Sequence, residues 1–326
     1  HALAQPGDNE IQRLGQLDRE LGLRFADTVN QLLTQQQLSH AAISAIGSHG
    51  QTIRHRPPSP EEGHPFSLQV GDPNTIAEHT GITTVADFRR RDIALGGHGA
   101  PLVPAFHQAV FHQPGARRAI VNIGGIANIT LLEKSAEAPI QGYDTGPGNG
   151  LMDAWTLSHL QQPYDKDGSW SRQGTVIPAL LAELLNTPYL ALPPPKSTGR
   201  ELFNLDWLRQ QLQKHTQSFA PEDVQATLLD FTAETIAAAI KRHGEESLDV
   251  FLCGGGAHNR ALVERLSDLL HPVQVETTDS IGIPADWVEA IAFAWLAQQT
   301  LKGKPGNAPA VTGARSAAIL GAIYPG

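Results

Sequence analysis

Cysteine is all but missing from this chain. Cys253 stands alone among 326 residues, which excludes an internal disulfide and any zinc site built on cysteines. A reducing compartment fits that usage. Long apolar runs are lacking too; the longest are of strand length, so no segment is expected to span a membrane. Cationic patches are scarce: the formal net charge is −9, with Arg89, Arg90 and Arg91 as the one basic block, which argues against a general nucleic-acid surface. There is no G-x-x-x-x-G-K-[ST] loop and no His-Glu-x-x-His spacing, so neither a P-loop nor that kind of metal site is expected, and no metal-ligating residue is predicted. No signal peptide is visible. The sequence opens on His1-Ala2-Leu3 with no initiator methionine, and residues in front of it are expected.

What is present describes a folded α/β chain. Apolar residues make up 40% and charged residues 17%, the balance of a globular protein, and the length allows two domains. The first forty residues read as helix from the spacing of Leu14, Leu17, Leu21, Val29 and Leu32. A short strand opens at Ala45-Ile46-Gly47. The stretch from Arg54 to Pro65 reads as an exposed loop, Phe66 to Val70 as a strand, Asn74 to Thr80 as a short helix and Ile82 to Ala86 as a buried strand. From Arg118 the pattern restarts. Ala119 to Ile123 and Ile129 to Leu132 read as a hairpin around Gly124-Gly125, Gln141 to Asn149 as a glycine-rich turn, and Gly150 to His159 as a helix. Ala226 to Lys241 reads as a strong amphipathic helix, Val250 to Cys253 as a strand, and Ala285 to Leu301 as the last long helix. The restart sets an expected boundary between domains 1–117 and 118–326, with the C-terminal end free to pack back on the first domain.

Glycine-rich turns at the carboxyl ends of strands are where α/β proteins bind ligands, because main-chain N–H groups can approach phosphate oxygens with no side chain between. Here Gly124-Gly125, Gly146-Pro147-Gly148-Asn149 and Gly254-Gly255-Gly256 each follow a short apolar strand. Any one of them alone is as readily a simple turn; the three together favour a nucleotide. The Gly124 turn leads into a strand rather than a helix, which sets aside a dinucleotide-binding turn.

Seven segments then carry a resemblance: 46–52 (IGSHGQT), 86–92 (ADFRRRD), 99–104 (GAPLVP), 122–128 (NIGGIAN), 144–149 (DTGPGN), 196–200 (KSTGR) and 253–259 (CGGGAHN). Each is weak alone, but their order is specific, and from Ile46 onward the chain resembles the anhydro-N-acetylmuramic acid kinases. The resemblance implies two RNase H-like domains of the actin-like ATPase and sugar kinase type with a cleft between them. It implies ATP as co-substrate with Mg²⁺, a sugar as the small-molecule partner, a cytoplasmic location, a role in cell-wall recycling and, as is often the case in the family, a homodimer. It implies ATP contacts at Asn122, Gly124, Gly125, Gly146, Gly148, Asn149, Gly254, Gly255, Gly256 and Asn259, and makes Asp144 the general base. Such kinases begin with a strand, a Met-Ser-Gly-Thr-Ser hairpin and an Asp-Gly pair that grip the β- and γ-phosphates; nothing of the kind precedes His1, so the first phosphate hairpin is expected to be missing from this chain. That leaves a generic sugar kinase, or a non-catalytic nucleotide- or sugar-binding protein, as the alternatives.

The polar candidates keep two readings each. Asp144 suits a base presented to a cleft, or a cap on the turn or on the helix near Gly150. Glu289 lies in a mostly apolar helical stretch and is either a substrate contact or an exposed position. Asp87 either binds substrate or pairs with Arg89 or Arg91. Arg89 has the fork geometry to hold a substrate carboxylate. His49 and His98 sit in glycine turns; His49 is placed with the substrate residues, although fourteen histidines dilute the meaning of any one. Asp165-Lys166-Asp167-Gly168 reads as a solvated turn.

Overall fold

The computed structural model describes residues 3, 7–58, 63–199, 201–244 and 248–326. In chain order the described elements are α1 (Glu10–Gln35), β1 (Ile46–Gly47), β2 (Gln51–Arg56), β3 (Phe66–Val70), α2 (Pro73–Thr80), β4 (Thr84–Ala86), α3 (Arg90–Ala94) and α4 (Val103–Phe111). Next come β5 (Arg117–Ile123), β6 (Ile126–Leu132), β7 (Gln141–Pro147), α5 (Gly150–Leu160), α6 (Pro178–Leu185), α7 (Pro188–Ala191), α8 (Leu205–Gln213) and α9 (Pro221–Lys241). The rest are β8 (Leu248–Cys253), α10 (Arg260–Leu270), β9 (Val275–Thr277), α11 (Val288–Leu301), α12 (Pro309–Thr312) and β10 (Ala322–Tyr324). The chain forms two compact units, His1–Phe106 with Ala290–Gly326, and His107–Glu289. Against the expected division at 117/118, the units divide at 106/107, inside α4, and the last 37 residues belong with the first.

In the first unit, β4 is the middle strand, parallel to β1 and antiparallel to β10. Its core gathers Val85, Phe88, Leu102, Phe293, Leu296 and Leu320; each such side chain contributes about 1.5–3 kcal/mol on burial. The local signals are strong. Asp72 caps α2 by accepting the N–H groups of Asn74 and Thr75, Pro73 occupies the first turn, and Gly81 ends the helix at φ +63°. Gly22 of α1 lies so close to Asp72 and Thr75 that a side chain there would collide. The hairpin of β2 and β3 takes in residues expected to be loop: Arg54, His55 and Arg56 pair with Leu68, Ser67 and Phe66. The expected loop therefore starts only after Arg56, and 59–62 lie outside the described residues.

The second unit holds a five-stranded sheet in the order β7-β6-β5-β8-β9, an antiparallel meander followed by two strands parallel to β5. This is the RNase H-like arrangement expected from the resemblance. Ala119, Ile120, Val121 and Ile123 of the central strand β5 are fully buried, as a strand covered on both faces must be. Helix α9 departs from expectation: fifteen of its 21 residues are buried, so it is an interior helix rather than an amphipathic surface one. The glycine-rich stretch Gln141–Pro147 is a strand rather than a turn, because β6 offers it a partner for nearly every residue, with one irregularity between Ala127 and Asn128. The Asp165 turn is not solvated. Asp165 is only 6% exposed, and its carboxylate accepts the N–H groups of Trp170 and Ser171.

Candidate active site

Strands β5, β7 and β8 run in the same direction, so all three glycine turns emerge at one end of the sheet. There the first two lock together through main chain, and the third packs against them. Gly148 and Gly150 donate to the Gly125 carbonyl at 3.0 and 3.1 Å, and Asn149 donates to the Gly124 carbonyl at 2.7 Å. The Asn149 side chain reaches across to the Ile123 carbonyl at 3.3 Å, and Thr232 of α9 braces the turn by donating to the Gly148 carbonyl at 3.0 Å. The glycines fall into two kinds. A Cβ on Gly148 would strike the Gly124 carbonyl, and one on Gly256 would strike Ile123; these positions are closed by the packing of turn on turn. On Gly124 and Gly255 a Cβ would make only ordinary contacts, at 3.5 and 3.7 Å, so these two positions have room. Gly254, at φ +78°, is in the left-handed region that favours glycine.

The expected asparagines are less open to a ligand than the glycines. The Asn259 side chain caps α10, its Oδ1 accepting the Leu262 N–H at 3.2 Å. Asn122 sits beside the Cys253 thiol, with 3.9 Å from sulfur to Oδ1, and Asn149 ties the second turn to β5. Gly146 packs against Leu190 and Thr235.

Asp144 lies on β7, three residues before the strand passes into the second glycine turn, or about 10 Å along an extended chain. It is 6% exposed and held on several sides. Its N–H donates to the Lys196 carbonyl at 3.4 Å, its carbonyl accepts from the Tyr189 hydroxyl at 2.8 Å, and its Oδ2 accepts from the Thr198 N–H at 2.9 Å. The alternative role as a helix cap does not arise, since α5 has Asn149 at its N-cap. Lys196 is itself buried; burial and then the Arg242 guanidinium lower its ammonium to about 8, against the opposing pull of Asp144. Arg200, the last residue of that segment, lies outside the described residues.

In the first unit, a polar cavity of about 170 Å³ is lined by residues including Ser48, His49, Gln69, Asp87, Arg90 and Tyr324. Asp87 adopts φ +60°, rare for a residue other than glycine, and pairs with Arg90 at 3.4 Å rather than with Arg89 or Arg91. Burial raises its carboxyl above the ordinary range. Arg89 is turned inward. Its Nε and Nη2 approach His49 Nε2 at 3.1 and 2.9 Å and its Nη1 donates to the Gly99 carbonyl at 2.7 Å. His49 accepts this fork as a neutral imidazole: burial first, and then the Arg89 charge, lowers it to about 3. It packs on the Phe293 ring at 4.5 Å. Glu289, at the start of α11 in the second unit, is exposed and acts on the buried Cys253 thiol, whose ionisation burial and the Glu289 charge both oppose.

The profile described as anhydro-N-acetylmuramic acid kinase matches residues 1–326. The anhydro-N-acetylmuramic acid kinase of Coxiella burnetii (strain RSA 493 / Nine Mile phase I) is 54% identical over 323 residues, covering 99% of this chain and 86% of that protein. The chain belongs to the anhydro-N-acetylmuramic acid kinase family. The Pasteurella multocida (strain Pm70) kinase of the same name is 53% identical over 325 residues, covering 99% of this chain and 84% of the relative. That of Shewanella pealeana (strain ATCC 700345 / ANG-SQ1) is 54% identical over 323 residues, covering 99% and 86%.

Within this family frame, Lys196, Tyr189 and Arg90 are the residues that a reading of the sequence does not single out as site residues. Tyr189 carries no signal, since nothing in an isolated Pro-Tyr-Leu-Ala helix points toward Asp144. Arg90 is one of three adjacent arginines. Only the folded α3 shows which of them turns inward and which lines the cavity.

Proposed function

We propose that the protein is an ATP-dependent kinase that opens the 1,6-anhydro ring of anhydro-N-acetylmuramic acid and phosphorylates O6, giving N-acetylmuramic acid 6-phosphate and ADP in cell-wall recycling. One observation carries this beyond the family name: a buried, firmly held carboxylate, Asp144, on the strand that feeds a cradle of two interlocked glycine turns with a third packed against them.

The chemistry comes from those parts. Asp144 takes a proton from water, and the water oxygen bonds to C1 of the sugar as the C1–O6 bond breaks. O6 then bonds to the γ-phosphorus of ATP as ADP leaves. Gly124 and Gly255 leave room for phosphate oxygens to approach main-chain N–H groups. Mg²⁺ would arrive with ATP, held by phosphates and water; it neutralises phosphate charge, and among the described residues no group of three or more His, Cys, Asp or Glu side chains stands ready to hold an ion. Asp87 is proposed as a sugar contact on its place in the polar cavity. Among the described residues no helix is long and apolar enough to cross a membrane, and a cytoplasmic site for the reaction is part of the proposal.

Reaction in ¹⁸O-labelled water tests this reading. Label is expected at the anomeric carbon of the product and not in phosphate, with inverted configuration at C1 when the spectrum is taken before the anomers interconvert. Label in inorganic phosphate, or an unopened ring after ATP is consumed, would sink the coupled mechanism.

A further inference from the structure

Strand β7 is an edge strand, and an edge presents main-chain groups with no strand to bond them. At Asp144 one segment, residues 189–198, supplies the partners. The Lys196 carbonyl takes the N–H, the Tyr189 hydroxyl serves the carbonyl, and the Thr198 N–H reaches the carboxylate. This segment is anchored from within by the side chain of Lys196. Its Nζ donates to the carbonyls of Tyr189 and Leu190 at 3.3 and 3.2 Å and lies 4.7 and 5.6 Å from the ring centres of Tyr189 and Tyr143. A lysine is seldom buried so fully unless an anion balances it, and Asp144 is an anion that acts on it.

We propose that Lys196 is a positioning residue for the reaction: its charge keeps Asp144 ionised, and the segment it anchors keeps that carboxylate aimed. The proposal rests on the reading of Asp144 as the base. Among the described residues, the other charged and titratable groups around the pair include Arg242 at the end of α9, Tyr143 on β7, Tyr189 on α7, Glu201 just past the segment, and His243, whose Nε2 lies 3.0 Å from the Tyr143 hydroxyl. Arg242 opposes the lysine's charge and Asp144 favours it.

The test is the pH profile of kcat/KM for the sugar in the purified chain and in Lys196→Met, Lys196→Gln, Lys196→Arg and Asp144→Asn. Removing the cation makes the base easier to protonate. The acid limb should therefore move up by about half a pH unit or more in the Met and Gln variants. In both, kcat should fall by about tenfold with KM for ATP unchanged, and Lys196→Arg should bring the limb back. Gln keeps a donor toward the two carbonyls and gives the answer if the Met variant fails to fold. An acid limb that stays in place in a folded Met or Gln variant overturns the proposal, whatever happens to kcat, and so does an Arg variant whose limb stays shifted. Near-normal turnover by Asp144→Asn is a different result, since it removes the base itself and with it the reading on which Lys196 depends.

Discussion

In the second unit the surface offered to a ligand is main chain, in the first it is side chain, and the two respond to change differently. The glycine cradle is two turns bonded through their own carbonyl and N–H groups and a third packed closely against them, so its shape depends on the absence of Cβ atoms. The polar cavity of the first unit depends on which of several similar side chains turns inward. Arg89 is committed to His49 and Gly99, while the neighbouring Arg90, 61% exposed along its side chain, pairs with Asp87. A backbone site is therefore sensitive at positions and tolerant of chemistry outside them; a side-chain site is sensitive to exchange among residues of one type.

The strongest test of the contrast is Asp144, the side chain proposed as the base, in the main-chain half. Asp144→Asn should lower turnover by at least ~10²-fold while ATP binding, measured by calorimetry, is largely kept. Equal loss of both would mean that Asp144 shapes the cradle rather than serving as a base. Next come the glycines. Gly148→Val and Gly256→Val should prevent folding or lower Tm sharply, since each Cβ would overlap packed atoms. Gly255→Val should fold normally yet weaken ATP binding by about tenfold or more, because its side chain fits without a clash but covers the main chain at the cradle. Unchanged ATP affinity in a folded Gly255→Val protein would make that turn merely structural.

For the side-chain half, Arg89→Ala should destabilise by about 2 kcal/mol or more, as hydrogen bonds from a charged group are lost, read as a fall in the denaturation midpoint. Arg90→Ala should leave stability nearly intact and raise KM for the sugar. The reverse pattern would exchange the roles assigned to the two arginines.

A further effect is expected on stability with pH. Burial lowers His49 and His107 to about 3, and burial followed by Arg89 lowers His55 to about 4. Unfolded, these imidazoles titrate near about 6.5, so the unfolded state binds more protons between those values. The stability that neutral histidines allow is complete above about pH 6.5 and is lost as the pH falls toward 4. Tm should drop between pH 7 and pH 5, and His107→Gln should make that drop shallower. A slope unaltered by the substitution would remove His107 from the cause.

Much of the second unit was legible because its signals are local. The hairpin of β5 and β6 is written in apolar residues around Gly124-Gly125, and the glycine turns mark strand ends. The illegible parts depend on partners distant in the chain. Gln141–Pro147 looks like a turn until β6 is beside it to pair with; Asp165 looks solvated until the N–H groups of Trp170 and Ser171 close over it. Asp92 carries no functional or structural signal, yet it is fully buried and accepts from Gly99, Asn307 and Thr312, two of them more than two hundred residues away. Lys196 stands in the sequence only as the first position of the 196–200 segment, because burial between two tyrosines is a tertiary fact.

The placement of β10 has a consequence for how the chain is made. Strand β4 is flanked by β1, which precedes it, and by β10, which comes after every strand of the second unit. During synthesis the five strands of the second sheet have all left the ribosome while the first sheet still lacks an outer strand. Domains fold as units during synthesis, but here the earlier-begun unit must wait for the later one. The second unit is the first that can reach its native sheet, and the nascent first unit holds an open edge on β4 until residue 324 emerges.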